Sequence, residues 1–303
     1  GVENYGRLIT YEDMERDISM IHEAGFNSVR FAKSTVHPYY LSLCTKYGLF
    51  AFLEIPINAV PKGIASEESF ISRSEEFLYN YISFYGDYSS FAAIGFGGTF
   101  LPELEEHISL ITTLANSAKE RSHLLTYASF WGTNIPVIDK LDLYGLEFFY
   151  DDPISFDEQI RELQSKIGKG KVFFSSVSYP VYIGGSDGYL NEFSFEAQAK
   201  YYEEFFDYLN QIKAPAFFLN SFNDYCGDYS SLLCGGSERN LYKIGLMDEE
   251  RSKNRISYKV VYSKLNNLEK VTIPIGSKKD DSPMTFIVFG LLLAIFMGVL
   301  VNS

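Results

Sequence analysis

Two hydrophobic periods alternate along most of this chain. Thr10 precedes an acidic turn (Glu12, Asp13), and Met14, Ile18 and Ile21 then recur at helical spacing until Gly25 ends the run. A short apolar strand is predicted over 28–31, a helix over 38–47 closed by Gly48, and a strand over 50–54. The pattern continues with a helix within 67–85, a strand over 92–96, a helix over 103–120 and strands over 124–129 and 141–149. A helix over 156–167, a strand over 172–176, a helix over 195–212 and a strand over 216–221 complete the series. Seven strands result, and Gly1 and Val2 read as the end of an eighth. Strands this apolar, alternating with helices, require a parallel sheet covered on its outer face. About 270 residues of such units is the size of a TIM (β/α)8 barrel. A doubly wound open sheet is disfavoured because no strand runs into a GxGxxG turn; Gly95-Phe96-Gly97-Gly98 misses that spacing.

The periodicity breaks near the C-terminus. Residues 284–301, MTFIVFGLLLAIFMGVLV, hold eighteen positions without a charge. As a helix they would span roughly 27 Å, close to the hydrocarbon thickness of a bilayer. The expected architecture is therefore a barrel over 1–269, a polar linker over 270–283 and a single transmembrane helix over 284–301. Gly290, Ala294 and Gly298 fall at four-residue spacing and would permit a helix-mediated dimer in lipid. Lys278 and Lys279 are offset at once by Asp280 and Asp281, which leaves sidedness weakly specified. The small residues Gly276 and Ser277 before a polar spacer also outline a lipid-anchor signal, but the spacer is short for one. The expectation is a single-pass membrane protein.

Composition narrows the partners. With 26 basic against 39 acidic residues the formal charge is −13, and so acidic a surface repels phosphate backbones; no nucleic acid is expected. The four histidines (His22, His37, His107, His123) are scattered and no His/Cys cluster has metal spacing, so neither metal nor cofactor is expected. Cys44 lies in an apolar helical run and reads as a buried free thiol, whereas Cys226 and Cys234 sit in a Gly/Ser/Asp-rich loop where oxidation could bridge them.

In a barrel the chemistry sits at the C-terminal ends of the strands. Those ends present Glu3 and Asn4; Arg30 and Lys33; Glu54; Gly98 and Thr99; Ser129 and Trp131; Glu147 and Tyr150; Ser176 and Ser178; and Asn220, Asn223 and Asp224. By themselves these describe a polar, mildly acidic mouth. Tyr127, Tyr144 and Tyr150 could stack on sugar rings, although rim aromatics are common in barrels without ligands.

The stretch YEDMERDISMIHEAGFNSVRFAKSTVHPYYLSLCTKYGLFAFLEIP, residues 11–56, resembles the opening of the catalytic barrel of glycoside hydrolase family two, the β-galactosidase, β-glucuronidase and β-mannosidase group. Asp17, Ile18, Gly25, Asn27, Val29, Arg30, Leu43, Cys44, Tyr47, Gly48, Leu49 and Glu54 fall in step with that family's pattern. Near the end, Asp224, Gly245, Leu246, Asp248, Arg251 and Lys253 fit its closing segment. The resemblance covers nearly all of residues 1–269 and is most specific at the front. It implies a TIM barrel extracytoplasmic in location, acting on β-glycosides through two glutamates.

The departures from that pattern bear on activity. Where the family's fourth strand ends in Asn and a general acid/base Glu, this chain has Gly98 and Thr99. Where the seventh ends in a nucleophilic Glu, it has Ser176. Lys33 replaces a His and Asn220 a Trp, while Glu147 falls where the family has Asn. Glu54 matches a supporting position and would orient Arg30. Retaining hydrolysis needs two carboxyl groups about 5–5.5 Å apart, which hydroxyls cannot replace. The expectation is a membrane-anchored, catalytically degenerate barrel kept for carbohydrate binding or scaffolding. Its candidate binding residues are Arg30, Lys33, Glu54, Trp131, Glu147, Tyr150, Asn220 and Asp224. Two alternatives are an active β-glycosidase or transglycosylase working through Glu54, Glu147 or Asp224, and a structural subunit of a membrane assembly without sugar.

Overall fold

A computed structural model describes residues 10–32, 34–181, 187–224, 244–248 and 250–276. The first helix, α1 (Tyr11–Glu23), starts where the sequence pattern places it. Thr10 accepts from the Asp13 amide and the Asp13 carboxylate accepts from the Thr10 amide, satisfying two donors that would otherwise be orphaned. Met14, Ile18 and Ile21 bury one stripe against the sheet. Gly25, at φ +97°, turns the chain into β1 (Ser28–Phe31). Helix α2 (Pro38–Tyr47) begins with proline at a position that needs no amide donor and ends at left-handed Gly48.

The remaining elements follow in order: β2 (Phe50–Glu54), a single turn α3 (Lys62–Ala65), α4 (Glu68–Tyr85), β3 (Phe91–Gly95), α5 (Glu105–Arg121), β4 (Leu125–Phe130), β5 (Leu143–Phe149), α6 (Asp157–Ile167), β6 (Val172–Ser178), α7 (Phe195–Ile212), β7 (Phe217–Leu219) and α8 (Ile256–Leu265). All seven described strands pair in parallel and in sequential order from β1 to β7. This is a (β/α)8-like TIM barrel. Gly1 and Val2, expected at the end of an eighth strand, lie outside the described residues, as do Glu3, Asn4, Lys33, Cys226 and Cys234.

One crossover departs from the repeat. Residues 131–142 join β4 to β5 without a helix. Ile135, Ile138 and Leu141 fill the space under this segment, and the Tyr144 hydroxyl both receives the Ile138 amide and donates to its carbonyl. The outer shell between strands and helices is aliphatic and aromatic, and it includes the buried free thiol Cys44, which burial pushes up to about 12.

The barrel interior is layered by the two-residue period of its strands. Phe52, Ala93, Tyr127, Phe173 and Phe218 form a second, separate apolar cluster in the lower half. Two residues further along these strands stand Glu54, Gly95, Ser129 and Ser175, so the interior turns polar toward the C-terminal ends. Gly95 is required by contact: a Cβ there would sit 2.4 Å from the Tyr127 ring.

The transmembrane part of the expected architecture is corrected. Among the described residues no helix is long and apolar enough to cross a membrane. Residues 284–301, with Gly290, Ala294 and Gly298, lie outside the described residues. An uncharged run meets only the length condition for a span; it must also be a helix, and the structure supplies none of that kind among the residues it describes. The single-pass membrane assignment, the membrane partner and the helix-mediated dimer are withdrawn with it, and so is the anchored version of the function.

Gly95→Ala should lower stability by about 2–3 kcal/mol, because neither the Tyr127 ring nor the strand can yield easily. Urea unfolding checks this; an unchanged midpoint contradicts the packing described.

Candidate functional site

Arg30 projects from β1 into the barrel and is nearly inaccessible. Its Nε and Nη2 donate to Glu54 Oε2 at 3.2 and 2.6 Å, its Nη1 to the Ser175 carbonyl at 2.7 Å, and Nη2 also reaches Ser129 Oγ at 3.3 Å. One planar fork thus ties together β1, β2, β4 and β6. Burial works against the charged guanidinium, but the Glu54 carboxylate, followed by Tyr127 and Glu147, outweighs it and raises the Arg30 pKa above the ordinary arginine value. Arg30 is therefore a permanent cation. Burial, with the Glu54 charge beside it, also holds the Tyr127 phenol well above its usual range, so that residue is neutral.

Above this pair lies Glu147. A register shift between β5 and β6, with Ser175 of β6 as the extra residue, places Glu147 opposite Ser176. Glu147 Oε2 accepts from the Thr99 amide at 2.7 Å and the Thr99 hydroxyl at 3.1 Å, and its Oε1 is 3.6 Å from Arg30 Nη2. The Thr99 hydroxyl is also 3.0 Å from Asn58 Oδ1. Thr99 adopts φ +57°, uncommon for a β-branched residue, and that turn aims both its amide and its hydroxyl at one carboxylate oxygen. Gly97, at φ +115°, permits the preceding approach, since a Cβ there would lie 2.2 Å from the Ile57 carbonyl oxygen.

Arg30, Glu54, Thr99 and Glu147 are thus brought into one connected cluster, with Ser176 paired beside Glu147. The facing oxygens of Glu54 and Glu147 are separated by no more than the sum of their distances, 2.6 and 3.6 Å, to the shared Arg30 nitrogen. That bound falls below the roughly 6.5–9.5 Å of an inverting pair. Their environments differ, however. The Glu54 side chain is 0% exposed, with Arg30 donating twice to its Oε2, whereas Glu147 keeps 12% exposure. A proton donor or nucleophile must reach the glycosidic bond, and Glu54 cannot.

The other sequence candidates sit apart from this cluster. Asp224 is buried in a paired contact with Arg255, whose Nη1 donates to Asp224 Oδ1 at 2.9 Å, while the same oxygen accepts from the Gly245 amide. It fastens the segment leading to α8. Trp131 is exposed at the end of β4, and Tyr150 stands at the rim after β5, its ring stacked on Phe193 at 5.0 Å and 27°. Asn220 ends β7, half-buried. Lys33 lies outside the described residues.

Several contributors were not singled out from the sequence. Asn58 carries no motif, and its role comes from the parallel bridge between Asn58 and Gly98. His107 joins two rim loops, accepting from the Leu101 amide at 3.0 Å and lying 2.9 Å from the Val60 carbonyl. Among the described residues four buried polar atoms near the strand ends have no hydrogen-bond partner: Glu54 Oε1, Asn58 Nδ2, Ser178 Oγ and Asn220 Oδ1. No group of acidic, His and Cys residues able to hold a metal occurs among the described residues.

Arg30→Met should cost about 3–5 kcal/mol, because it strands the Glu54 charge in the barrel interior. The double variant Arg30→Met with Glu54→Leu should recover most of that loss. Denaturant melts of the two variants decide between a coupled buried pair and two independent contributions.

Comparison with known proteins places this geometry. A family model described as the TIM barrel domain of glycosyl hydrolases family 2 matches residues 2–87. A β-galactosidase of Photobacterium profundum is 42% identical over 53 residues, which is 18% of this chain and 5% of that protein. Among solved structures, a GH2 β-galacturonidase from Eisenbergiella tayi bound to galacturonate superposes with TM-score 0.77 and 15% identity, covering 89% of this chain and 50% of its own. An FMN-binding β-glucuronidase from Faecalibacterium prausnitzii gives TM-score 0.71 and 19% identity, covering 84% of this chain and 41% of its own. The chain therefore spans about half the length of these solved relatives or less, and the structural likeness establishes the fold. The protein has a GH2-like TIM-barrel fold related to β-galactosidase and β-glucuronidase family members.

Proposed function

We propose that this barrel binds carbohydrate at the C-terminal ends of its strands without hydrolysing it, with Thr99 and Ser176 standing where family two glycosidases carry their catalytic glutamates. The observation that carries the reading is the set of unmatched polar atoms near the C-terminal ends of the strands. Asn220 Oδ1 accepts, Asn58 Nδ2 donates, and the Ser178 hydroxyl does either. Buried polar groups without partners are costly, and interleaved donors and acceptors match a ligand whose hydroxyls both give and receive hydrogen bonds. Sugars have that character.

The absence of turnover rests on accessibility. Glu147 is the one carboxylate of the described cluster that meets the mouth, and a lone carboxylate cannot both protonate a leaving oxygen and attack the anomeric carbon. Glu147 accepts two hydrogen bonds from Thr99, which suits it to receive a hydrogen bond from a sugar hydroxyl. The two solved relatives named above are a galacturonidase and a glucuronidase. A uronate would bring a carboxylate to a cluster whose described cation, Arg30, is already matched to Glu54. Neutral, hydroxyl-rich sugars are therefore the favoured class.

Calorimetry with methyl β-glycosides of neutral hexoses and of uronic acids tests the proposal. Binding of a neutral glycoside is expected, weakened roughly fivefold to tenfold by Glu147→Gln, the loss of about one charged hydrogen bond. Aryl β-glycosides should remain uncleaved over hours. Cleavage that Glu147→Gln abolishes would overturn the non-hydrolytic reading, and absence of any sugar binding would overturn the whole proposal.

A further inference from the structure

After α8 the chain does not leave the barrel. Asn266 Nδ2 donates to the Ala24 carbonyl at 3.1 Å, just ahead of β1, so α8 ends on the face opposite the mouth. Asn267 turns the chain at φ +53°, and the Leu268 amide closes on the Ser263 carbonyl at 2.9 Å. The next residues climb beside α7: Lys270 Nζ lies 3.0 Å from the buried Glu203 carboxylate, which Lys200 also approaches at 3.2 Å. By residues 274–276 the chain has reached the mouth. There the Tyr189 amide donates to the Pro274 carbonyl at 2.9 Å and the Leu190 amide to the Ile275 carbonyl at 3.0 Å.

The contact is backbone against backbone. A Cβ on Gly188 would lie 2.2 Å from the Gly276 nitrogen, and one on Gly276 would lie 1.5 Å from the Asp187 carbonyl oxygen. Both glycines also hold positive φ, +97° and +73°. The segment so gripped continues directly into the rim. The Gly188 carbonyl accepts from the Asn191 amide at 3.1 Å and the Ser194 hydroxyl at 2.9 Å. Ser194 in turn caps α7 through the Ala197 amide at 2.9 Å. Between them Phe193, at φ +61°, stacks on Tyr150, which packs against Tyr179 at 5.5 Å. Tyr150 lies three residues beyond Glu147.

We infer that residues 268–276 form a strap that clamps the rim segment 187–194 and through it holds the Phe193–Tyr150 stack at the barrel mouth. The strap, drawn from the far end of the fold, makes the shape of the rim depend on residues that never touch the Arg30–Glu147 cluster. Its effect on sugar affinity rests on the proposed function; its effect on the rim does not.

Hydrogen exchange on the full chain tests it. Gly276→Ala drives a methyl group into the Asp187 carbonyl and should lift the strap, while amides of the barrel core such as Leu53 and Ile94 keep their protection. Exchange at Tyr189 and Leu190 is expected to accelerate by roughly tenfold or more, and to carry through Asn191, Phe193 and Ser194. Acceleration confined to Tyr189 and Leu190, or none at all, would overturn the strap. Should Gly276→Ala fail to fold, Lys270→Ala removes the strap's midpoint anchor and should produce the same pattern at smaller size. Neutral-glycoside affinity should fall in parallel. A rim that loosens while affinity holds would retain the strap and remove its role in binding, and a wild-type chain that binds no sugar would defeat the proposed function while the exchange result still decides the strap.

Discussion

A buried ion pair inside a parallel barrel sets the terms for everything above it. Arg30 and Glu54 leave water almost completely, which is costly for each alone, and their attraction compensates only because the remaining donors also find partners. Arg30 finds them on β4 and β6, at Ser129 and at the Ser175 carbonyl. The pair therefore acts as a cross-brace between strands that are not neighbours in the sheet. It also sets the boundary between the aromatic lower interior and the polar upper one.

That boundary explains why the mouth can be polar while the fold stays intact. Below it, Phe52, Tyr127, Phe173 and Phe218 pack around Ala93 and Gly95, where small residues make room for large rings. Above it, Glu147, Thr99 and Asn58 interact with one another and with Arg30 rather than with the aromatic layer. Residues at the strand ends such as Thr99 and Glu147 therefore form their own polar layer above the aromatic scaffold. The amide and hydroxyl of Thr99, both donating to Glu147, keep that layer connected.

The relatives fit the same division. The family model matches the front of the chain, residues 2–87, and 53 residues align at 42% identity with a β-galactosidase. This part holds α1, β1, α2 and β2, and with them both members of the buried pair. Structural likeness extends over 84–89% of the chain at 15–19% identity.

The local pattern of this chain determined its elements. Thr10 and Asp13 mark the start of α1, Gly48 ends α2, and short apolar runs mark the strands, because helix and strand periods are set by nearest-neighbour backbone geometry. Arg30, Glu54, Thr99 and Glu147 were legible as strand-end residues for the same reason. The apolar run at 284–301 was legible only as composition, and composition does not establish a helix. Which strand ends meet was left to the tertiary structure. The 48 residues between Thr99 and Glu147, the 145 between Arg30 and Ser175, and the closure of Gly276 on Gly188 are settled by how the barrel curves and where its crossovers run. Asn58, His107 and Phe193 carry no local signature of their roles, since a bridge, a loop tie and a ring stack exist only once distant segments have been brought together.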